Sequence, residues 1–348
     1  MTIAELGEFG LIEAIAERLA VYATGQDLVV IGPGDDAAVL QAPDGRVVAT
    51  TDMLIEGRHF RRDWSSAADI GHKAAARNLA DIAAMGAVPT ALLVGFAGPG
   101  HLEVEWVLDL AAGIGAECSA AGAVVAGGDT SSADLVLLAI TALGDLGGAE
   151  AVTRSGARPG DVVAVAGNLG SAAAGLDLLL AGVDPGVGDE PGEEGGSAAA
   201  GSQAEVRQAI AGLIAAHRRP RPPYAAGPAA ALLGATSMID VSDGLVADLG
   251  HVAAASGVRI DLVTSLLAAE PVARVGALRH AAAALARPED WRRWVLTGGD
   301  DHALVATFPA TVPLPQQWTP VGTVTNGHGV AVDGASWPDA GGWEHFRS

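Results

Sequence analysis

Aspartates recur in this chain where apolar runs give way to turns. Asp35 and Asp36 stand in GPGDDAAVL, Asp52 in TTDMLIEGRHF, Asp129 in AGGDTSS, Asp240 and Asp243 in MIDVSDGL, and Asp300 and Asp301 in LTGGDDHAL. One aspartate in one turn is ordinary, because its side chain bonds its own backbone there. Five separate junctions of an apolar strand with an aspartate form a pattern. Carboxylates brought together repel unless cations neutralise them. Hard oxygen donors flanked by the hydroxyls of Thr50, Thr51, Thr130 and Ser242 suit Mg2+ rather than zinc. Magnesium in turn points to phosphates.

A second pattern lies between Ala67 and Met85, where Lys73, Arg77 and Asp81 fall at i, i+4 and i+8 and Asn78 precedes Asp81 by three residues. On a helix this is one polar stripe, and its plain alternative is an exposed ion-paired face. Lys73 is the only lysine and no G-x-x-x-x-G-K-[ST] surrounds it, so a P-loop is excluded. Protein-kinase signatures such as an H-R-D loop are also absent. A nucleotide would therefore be held through magnesium, backbone amides at Gly127 and Gly128, and arginines such as Arg154. No Ser-His-Asp or Cys-His arrangement offers a covalent nucleophile. Cys118, on an alanine-rich helix, reads as a small core residue. Trp291, Trp294 and Trp318 read as packing or surface aromatics.

The elements that carry these residues follow from apolar periodicity. In the first half, strands are expected over Leu28–Ile31, Val47–Thr51, Ala91–Phe96, Val124–Ala126 and Leu135–Leu143. Helices are expected over Ile3–Ala20, Ala67–Met85 and Val104–Ala121. The texture changes near Thr153, where a Pro159-Gly160-Asp161 turn launches a strand over Val162–Ala166. Helices then follow over Ser171–Ala181, Glu205–His217, Tyr224–Leu233 and Leu245–Ala255. Strands are expected over Ser237–Val241, Arg259–Val263, His302–Thr307 and Val321–Val324. The reading is α/β (α+β) in two domains, 1–150 and 151–348. Residues 182–204, built of Gly, Ala, Pro and acids, read as a flexible insertion.

Composition closes off other classes. The chain has 348 residues, enough for about two domains with real cores. Its 20 basic and 41 acidic residues leave a net charge of −21, the opposite of a nucleic-acid footprint. Mean hydropathy is +0.33, but 47 glycines and 4% aromatics show that small residues cause it. Long uncharged stretches such as Ala87–Leu102 are broken by Pro and Gly, so none reads as membrane-spanning. One cysteine makes no intramolecular disulfide, and the first residues carry Glu5, Glu8, Glu13 and Glu17 rather than a basic leader. A cytoplasmic protein is the expectation.

Several motifs, in order and over nearly the whole chain, resemble the thiamine-monophosphate kinase family of the aminoimidazole-ribonucleotide synthetase superfamily. They are GDDAAVL, TTDMLIEGRHF, DIGHKAAARNLADIAAMGAVP, GGDT, TRSGARPGD, DVSDGL with DLGHV, TGGDDHAL and the terminal GWEHF. The resemblance implies ATP-dependent phosphorylation of thiamine phosphate to thiamine diphosphate. It also implies an N-terminal domain that dimerises through its sheet and a cleft between that sheet and the C-terminal domain. Carried over motif by motif, the magnesium ligands would be Asp36, Thr50, Thr51, Asp52, Asp81, Asp129, Asp240 and Asp243. ATP would meet Gly128, Asp129, Arg154 and Ser242, and thiamine phosphate would meet His59, Asp300 and Trp343. Asp52 and Asp129 would matter most. Where many members read Gly-Gly-Glu-Asp-Tyr, this chain has Gly298-Gly299-Asp300-Asp301-His302, a shorter carboxylate arm and no phenol. A synthetase of the same superfamily would share the metal motifs but not GWEHF. A silent scaffold would lack the aspartates. Cys118, far from the N-terminus, does not resemble the reactive cysteine of selenophosphate synthetases.

Overall fold

The computed structural model describes residues 1–22, 28–32, 37–183, 197–270 and 272–337. Asp36, Trp343 and residues 184–196 of the expected insertion lie outside the described residues. The chain divides into two compact units, Met1–Val152 with Pro223–Leu232, and Thr153–Pro222 with Leu233–Ser348. The short segment 223–232 thus clusters with the first unit, although the sequence reading places it in the second domain.

The first unit runs α1 (Ile3–Leu6), α2 (Glu8–Ala20), β1 (Val29–Ile31), β2 (Val39–Leu40), β3 (Val48–Ile55), α3 (Ala67–Ala84), β4 (Val88–Gly98), α4 (Val104–Ala121), β5 (Val124–Ser132) and β6 (Leu137–Asp145). The single helix expected over Ile3–Ala20 breaks at Gly7, whose φ of 79° ends α1 and starts α2. A four-stranded sheet has the order β3-β6-β4-β5, antiparallel except for the parallel β4/β5 pair, and β1 and β2 pair separately. α3 starts where it should because Ser66 and Asp69 form a capping box. It packs across β3, β6 and β4, with α4 beside it. The core between them includes Leu54, Ile70, Leu79, Ile82, Leu92, Leu138 and Ile140. Cys118 is buried in this core, as expected. The polar stripe of α3 departs from the plain alternative of an exposed face: Lys73 and Asn78 are buried.

The second unit holds β7 (Val162–Ala166), α5 (Ser171–Leu180), α6 (Ser197–Arg218), β8 (Ser237–Asp240), α8 (Leu245–Ser256), β9 (Arg259–Leu262), α9 (Thr264–Leu267), α10 (Val275–Ala284), α11 (Asp290–Thr297), β10 (Leu304–Phe308), β11 (Thr319–Thr325), β12 (Gly329–Val332) and β13 (Ala335–Ser336); α7 (Ala226–Leu233) lies between α6 and β8 in the chain. Seven strands form a mixed sheet in the order β13-β12-β9-β11-β7-β10-β8, with only β12/β9 parallel. α6 begins at Ser197, so residues 197–204 belong to a helix and not to the insertion. Their alanine-rich sequence favours that state. Trp291, Trp294 and Trp318 are all core residues; Trp294 donates through Nε1 to Asp177 at 2.9 Å, and Trp318 meets Phe308 edge-on at 5.2 Å. No described helix is long and apolar enough to cross a membrane.

α3 and α4 cross where each presents a glycine. A Cβ on Gly71 would overlap the Leu110 carbonyl, and one on Gly113 would overlap that of Ala68. Gly113→Ala should therefore destabilise the chain by about 1–3 kcal/mol, the usual cost of overpacking. Urea unfolding checks this, and an unchanged midpoint would show that the crossing can spread without cost.

Candidate active site

Strand alternation sorts the candidates of β3. Thr50, Asp52 and Leu54 share the face turned to α3, and Leu54 is fully buried there. Thr50 Oγ1 donates to Asp81 Oδ2 at 2.8 Å, and the Asp52 backbone N–H donates to Asn78 Oδ1 at 3.0 Å. Arg77 approaches Asp52 Oδ2 at 3.5 Å. Asn78 is itself held by donating from Nδ2 to the Ala74 carbonyl at 2.9 Å. The stripe on α3 therefore works as a bracket for β3. Thr51 points to the opposite face, where its hydroxyl donates to the Ile140 carbonyl at 3.0 Å. The structure brings Thr50, Asp52 and Asp81 together and leaves the Thr51 hydroxyl out of that group.

Asp129 and Gly128 lie on β5, exposed, on the far side of the same sheet. Three strand spacings of about 4.8 Å separate β3 from β5 by roughly 14 Å, so Asp52 and Asp129 of one chain do not meet at one ion. Gly128 is required by close approach, since a Cβ would overlap the Val94 carbonyl of the neighbouring strand. His59 follows β3, and its Nδ1 accepts the Ile55 N–H at 3.0 Å. That bond places the proton of the neutral ring on Nε2.

In the second unit the loop after β8 carries Ser242 and Asp243. Asp248, in the first turn of α8, reaches back so that one oxygen accepts the N–H groups of Ser242, Asp243 and Gly244 at 3.1, 3.1 and 3.0 Å. Burial, then the charges of Asp240 and Asp243, push its carboxyl up to about 8, against the pull of the N–H donors. The loop at Gly298–His302 lies against this one: the Asp300 N–H donates to the Ser242 carbonyl and the His302 N–H to that of Val241, both at 2.9 Å. Asp300 and His302 both have left-handed backbones, φ 66° and 52°, which cost energy for residues with a Cβ. Buried His302 ties its own loop to the end of β8, with Nδ1 at 3.1 Å from Asp240 Oδ2, and its Nε2 lies 3.9 Å from Asp300 Oδ1. Arg154 is exposed; its carbonyl accepts from Ser256 Oγ at 3.2 Å.

Asp301 faces inward and caps α5, accepting the Gly170 and Ala172 N–H groups at 2.5 and 2.8 Å. Burial raises its carboxyl to about 7, although these two donors oppose the rise. Asn78, Asp248 and Asp301 hold the site's backbone, and sequence reasoning assigned them no such role. An acid in the first turn of a helix that follows an aspartate-rich loop was the available signal for Asp248.

The donors around Asp52 and Asp81, and around Asp240 and Asp243, are hard oxygens, which fits Mg2+. Among the described residues no three His, Cys, Asp or Glu side chains stand close enough to hold a metal by themselves. Mg2+ sites commonly use one or two carboxylates, with phosphate and water oxygens as the remaining ligands.

The family described as AIR synthase related protein, N-terminal domain, matches residues 34–146. A thiamine-monophosphate kinase of Mycobacterium tuberculosis is 44% identical over 346 residues, covering 99% of this chain and 93% of that protein. The chain belongs to the thiamine-monophosphate kinase family. A family member from Corynebacterium glutamicum is 38% identical over 351 residues, covering 99% and 95% of the two chains. Among solved structures, the one described as AaThiL complexed with AMPPCP and TMP has a TM-score of 0.73 at 31% identity and covers 99% of each chain. A hydrogenase maturation protein HypE in complex with ATP, TM-score 0.62 at 18% identity, covering 91% of each chain, shares the fold.

Asp301 gives this family member a pH signature. The unfolded chain releases that proton near the usual value of about 3.9, and the folded chain only near about 7. Between these values the folded state holds more protons, so this group makes stability fall as pH rises. Asp301→Asn should flatten that decline in Tm between about pH 4 and 7, whatever its effect on absolute Tm. Parallel profiles for the two proteins would contradict the assignment.

Proposed function

We propose that this chain transfers the γ-phosphoryl group of ATP directly to thiamine phosphate, giving thiamine diphosphate, with Mg2+ as the metal. The observation that carries the reading is the 44% identity over nearly the full length of a thiamine-monophosphate kinase, on a chain that carries the aspartates the family resemblance implies. Asp52 with Thr50 and Asp81, Asp129, and Asp240 with Asp243 would hold the ions, and Asp36 completes the set that the family resemblance implies; Thr51, whose hydroxyl is bonded to Ile140 on the other sheet face, would join only through its main-chain carbonyl. When bound, Mg2+ supplies neutralisation of the phosphates that meet in a protein of charge −21.

The residues of the chain then orient and bind. Asn78 of α3 holds the Asp52 backbone, and Thr50 of β3 donates to the Asp81 carboxylate. Asp248 presents Ser242 and Asp243 at a fixed turn. Gly128, Asp129, Arg154 and Ser242 serve ATP, and His59, Asp300 and Trp343 serve thiamine phosphate. The acceptor phosphate is already ionised near neutral pH, so positioning does more than a general base would. Because Asp52 and Asp129 sit on opposite edges of one sheet, they serve different ions or different copies of the sheet. The two domains, 1–150 and 151–348, divide the work accordingly, and the enzyme acts in the cytoplasm.

ATP and thiamine phosphate, incubated with the protein and analysed for thiamine diphosphate, test this reading. Product should form with Mg2+ and disappear with EDTA. Asp52→Asn and Asp129→Asn should each lower kcat by roughly 100-fold or more, the scale of one lost preorganised electrostatic element. Undiminished turnover in EDTA, or near-wild-type rates in both variants, would overturn it.

We also propose a homodimer through the sheet face of the first unit that α3 and α4 leave uncovered. Thr51, Met53, Ala139 and Thr141 occupy adjacent positions there, small or apolar, with Met53 half exposed. Sedimentation should give a dimer for the wild type and a monomer for Met53→Lys. A monomeric wild type, or a dimer that this charge leaves intact, would refute the interface.

A further inference from the structure

A cavity of about 570 Å³ opens within the second unit, between the start of α5, the middle of α6 and α10. Its size is that of a small-metabolite site. Three guanidinium groups line it, Arg219, Arg221 and Arg274, in a chain whose acids outnumber its bases two to one. Arg274 donates from Nε to Asn168 Oδ1 at 3.1 Å, which fixes its fork at the wall. Arg221, exposed, makes no hydrogen bond or ion pair among the described residues. Ser171, the first residue of α5, also lines the cavity; it is 5% exposed, and its buried Oγ has no partner. A buried hydroxyl left unpaired costs free energy, so a hydroxyl in this position calls for a ligand or a water.

Two carboxylates share the lining, and they are not equivalent. Glu205 is exposed on α6, and Asp301 is buried and already satisfied by the Gly170 and Ala172 N–H groups. Arg221 and the terminal nitrogens of Arg274 are thus the cationic groups that face the opening. Planar guanidinium pairs recognise phosphate oxygens in a bidentate way that a point charge does not. The cavity is larger than a bare phosphate, and α6 lines the remaining wall with alanines, a glycine and Leu213, together with the polar side chain of Gln208.

We infer that this cavity binds a small phosphate-bearing molecule, a phosphate ester or a diphosphate, with its phosphoryl oxygens on Arg221, Arg274 and the Ser171 hydroxyl. None of these three residues has a part in the proposed kinase reaction, so the inference stands apart from it.

Calorimetric titration of the full-length protein with inorganic diphosphate and inorganic phosphate, in EDTA, tests the site without metal-dependent phosphate binding at the aspartates; acetate at matched ionic strength is the control. Diphosphate should bind saturably and more tightly than phosphate, with no binding of acetate. Arg221→Ala and Arg274→Ala should each weaken it by about ten-fold or more. Ser171→Ala should weaken it by about three-fold or more while leaving Tm unchanged or raised, because the hydroxyl has no structural partner to lose. No saturation by about 20 mM diphosphate, an affinity beyond any specific use, or wild-type affinity in both arginine variants would overturn the inference. Because both arginines are exposed, their variants should keep the wild-type Tm, and the binding comparison stays interpretable.

Discussion

An acidic protein that works on phosphates must orient its carboxylates without neutralising them. Asp81 accepts the Thr50 hydroxyl and the Asp52 backbone is held by the Asn78 amide, both neutral groups, while Asp248 and Asp301, whose carboxyls burial raises, hold neighbouring backbone N–H groups instead of offering charge. Arg77 stands 3.5 Å from Asp52. A lysine or arginine tied tightly to each aspartate would spend the negative charge inside the fold. The Thr50 hydroxyl and the Asn78 amide fix geometry at their contacts without adding charge there.

The rest of the structure serves that arrangement. α3 can bracket β3 because its polar stripe is buried against the sheet rather than solvated, and because glycines at its crossing with α4 let the two helices pack closely. In the second unit, Gly299 lies so near Ser242 that a Cβ would overlap the serine carbonyl. The two loops are thereby locked together, and the left-handed backbones of Asp300 and His302 persist because hydrogen bonds on both sides enforce them. His302, fully enclosed, meets Asp240 through Nδ1 at 3.1 Å, while its Nε2 makes no hydrogen bond among the described residues. Its side chain thus ties the Gly298–His302 loop to the end of β8.

Much of this was legible from residues alone. β7 lies where an apolar run after a Pro-Gly turn puts it, and α3 starts at a capping box and follows its apolar period to within one residue. Strong local signals survive packing. The helices α10 and α11 were not among the expected elements: α10 is alanine-rich and packs on α5 and α6, and α11, although its Trp291, Trp294 and Val295 share one face, is only eight residues long and packs on α5 and α8. Thr51 shows another limit. Its place beside Thr50 and Asp52 in the motif suggests one shared site, but the alternation of a strand turns its hydroxyl to the other face. Aspartates were easy to find as types; their separation across the sheet was not, because β3 and β5 are edges only once the strand order is known.

Binding of Mn2+ as a spectroscopic stand-in for Mg2+, followed by electron paramagnetic resonance with and without a non-hydrolysable ATP analogue, tests the central claim most directly. If oriented carboxylates wait for ligands that the phosphates supply, Mn2+ should bind weakly to the free protein and at least about ten-fold more tightly, and in greater number, once the analogue is present. Equal affinity and stoichiometry in both states, or tight binding to the free protein alone, would mean that the chain builds a closed metal cage of its own, and would contradict the account.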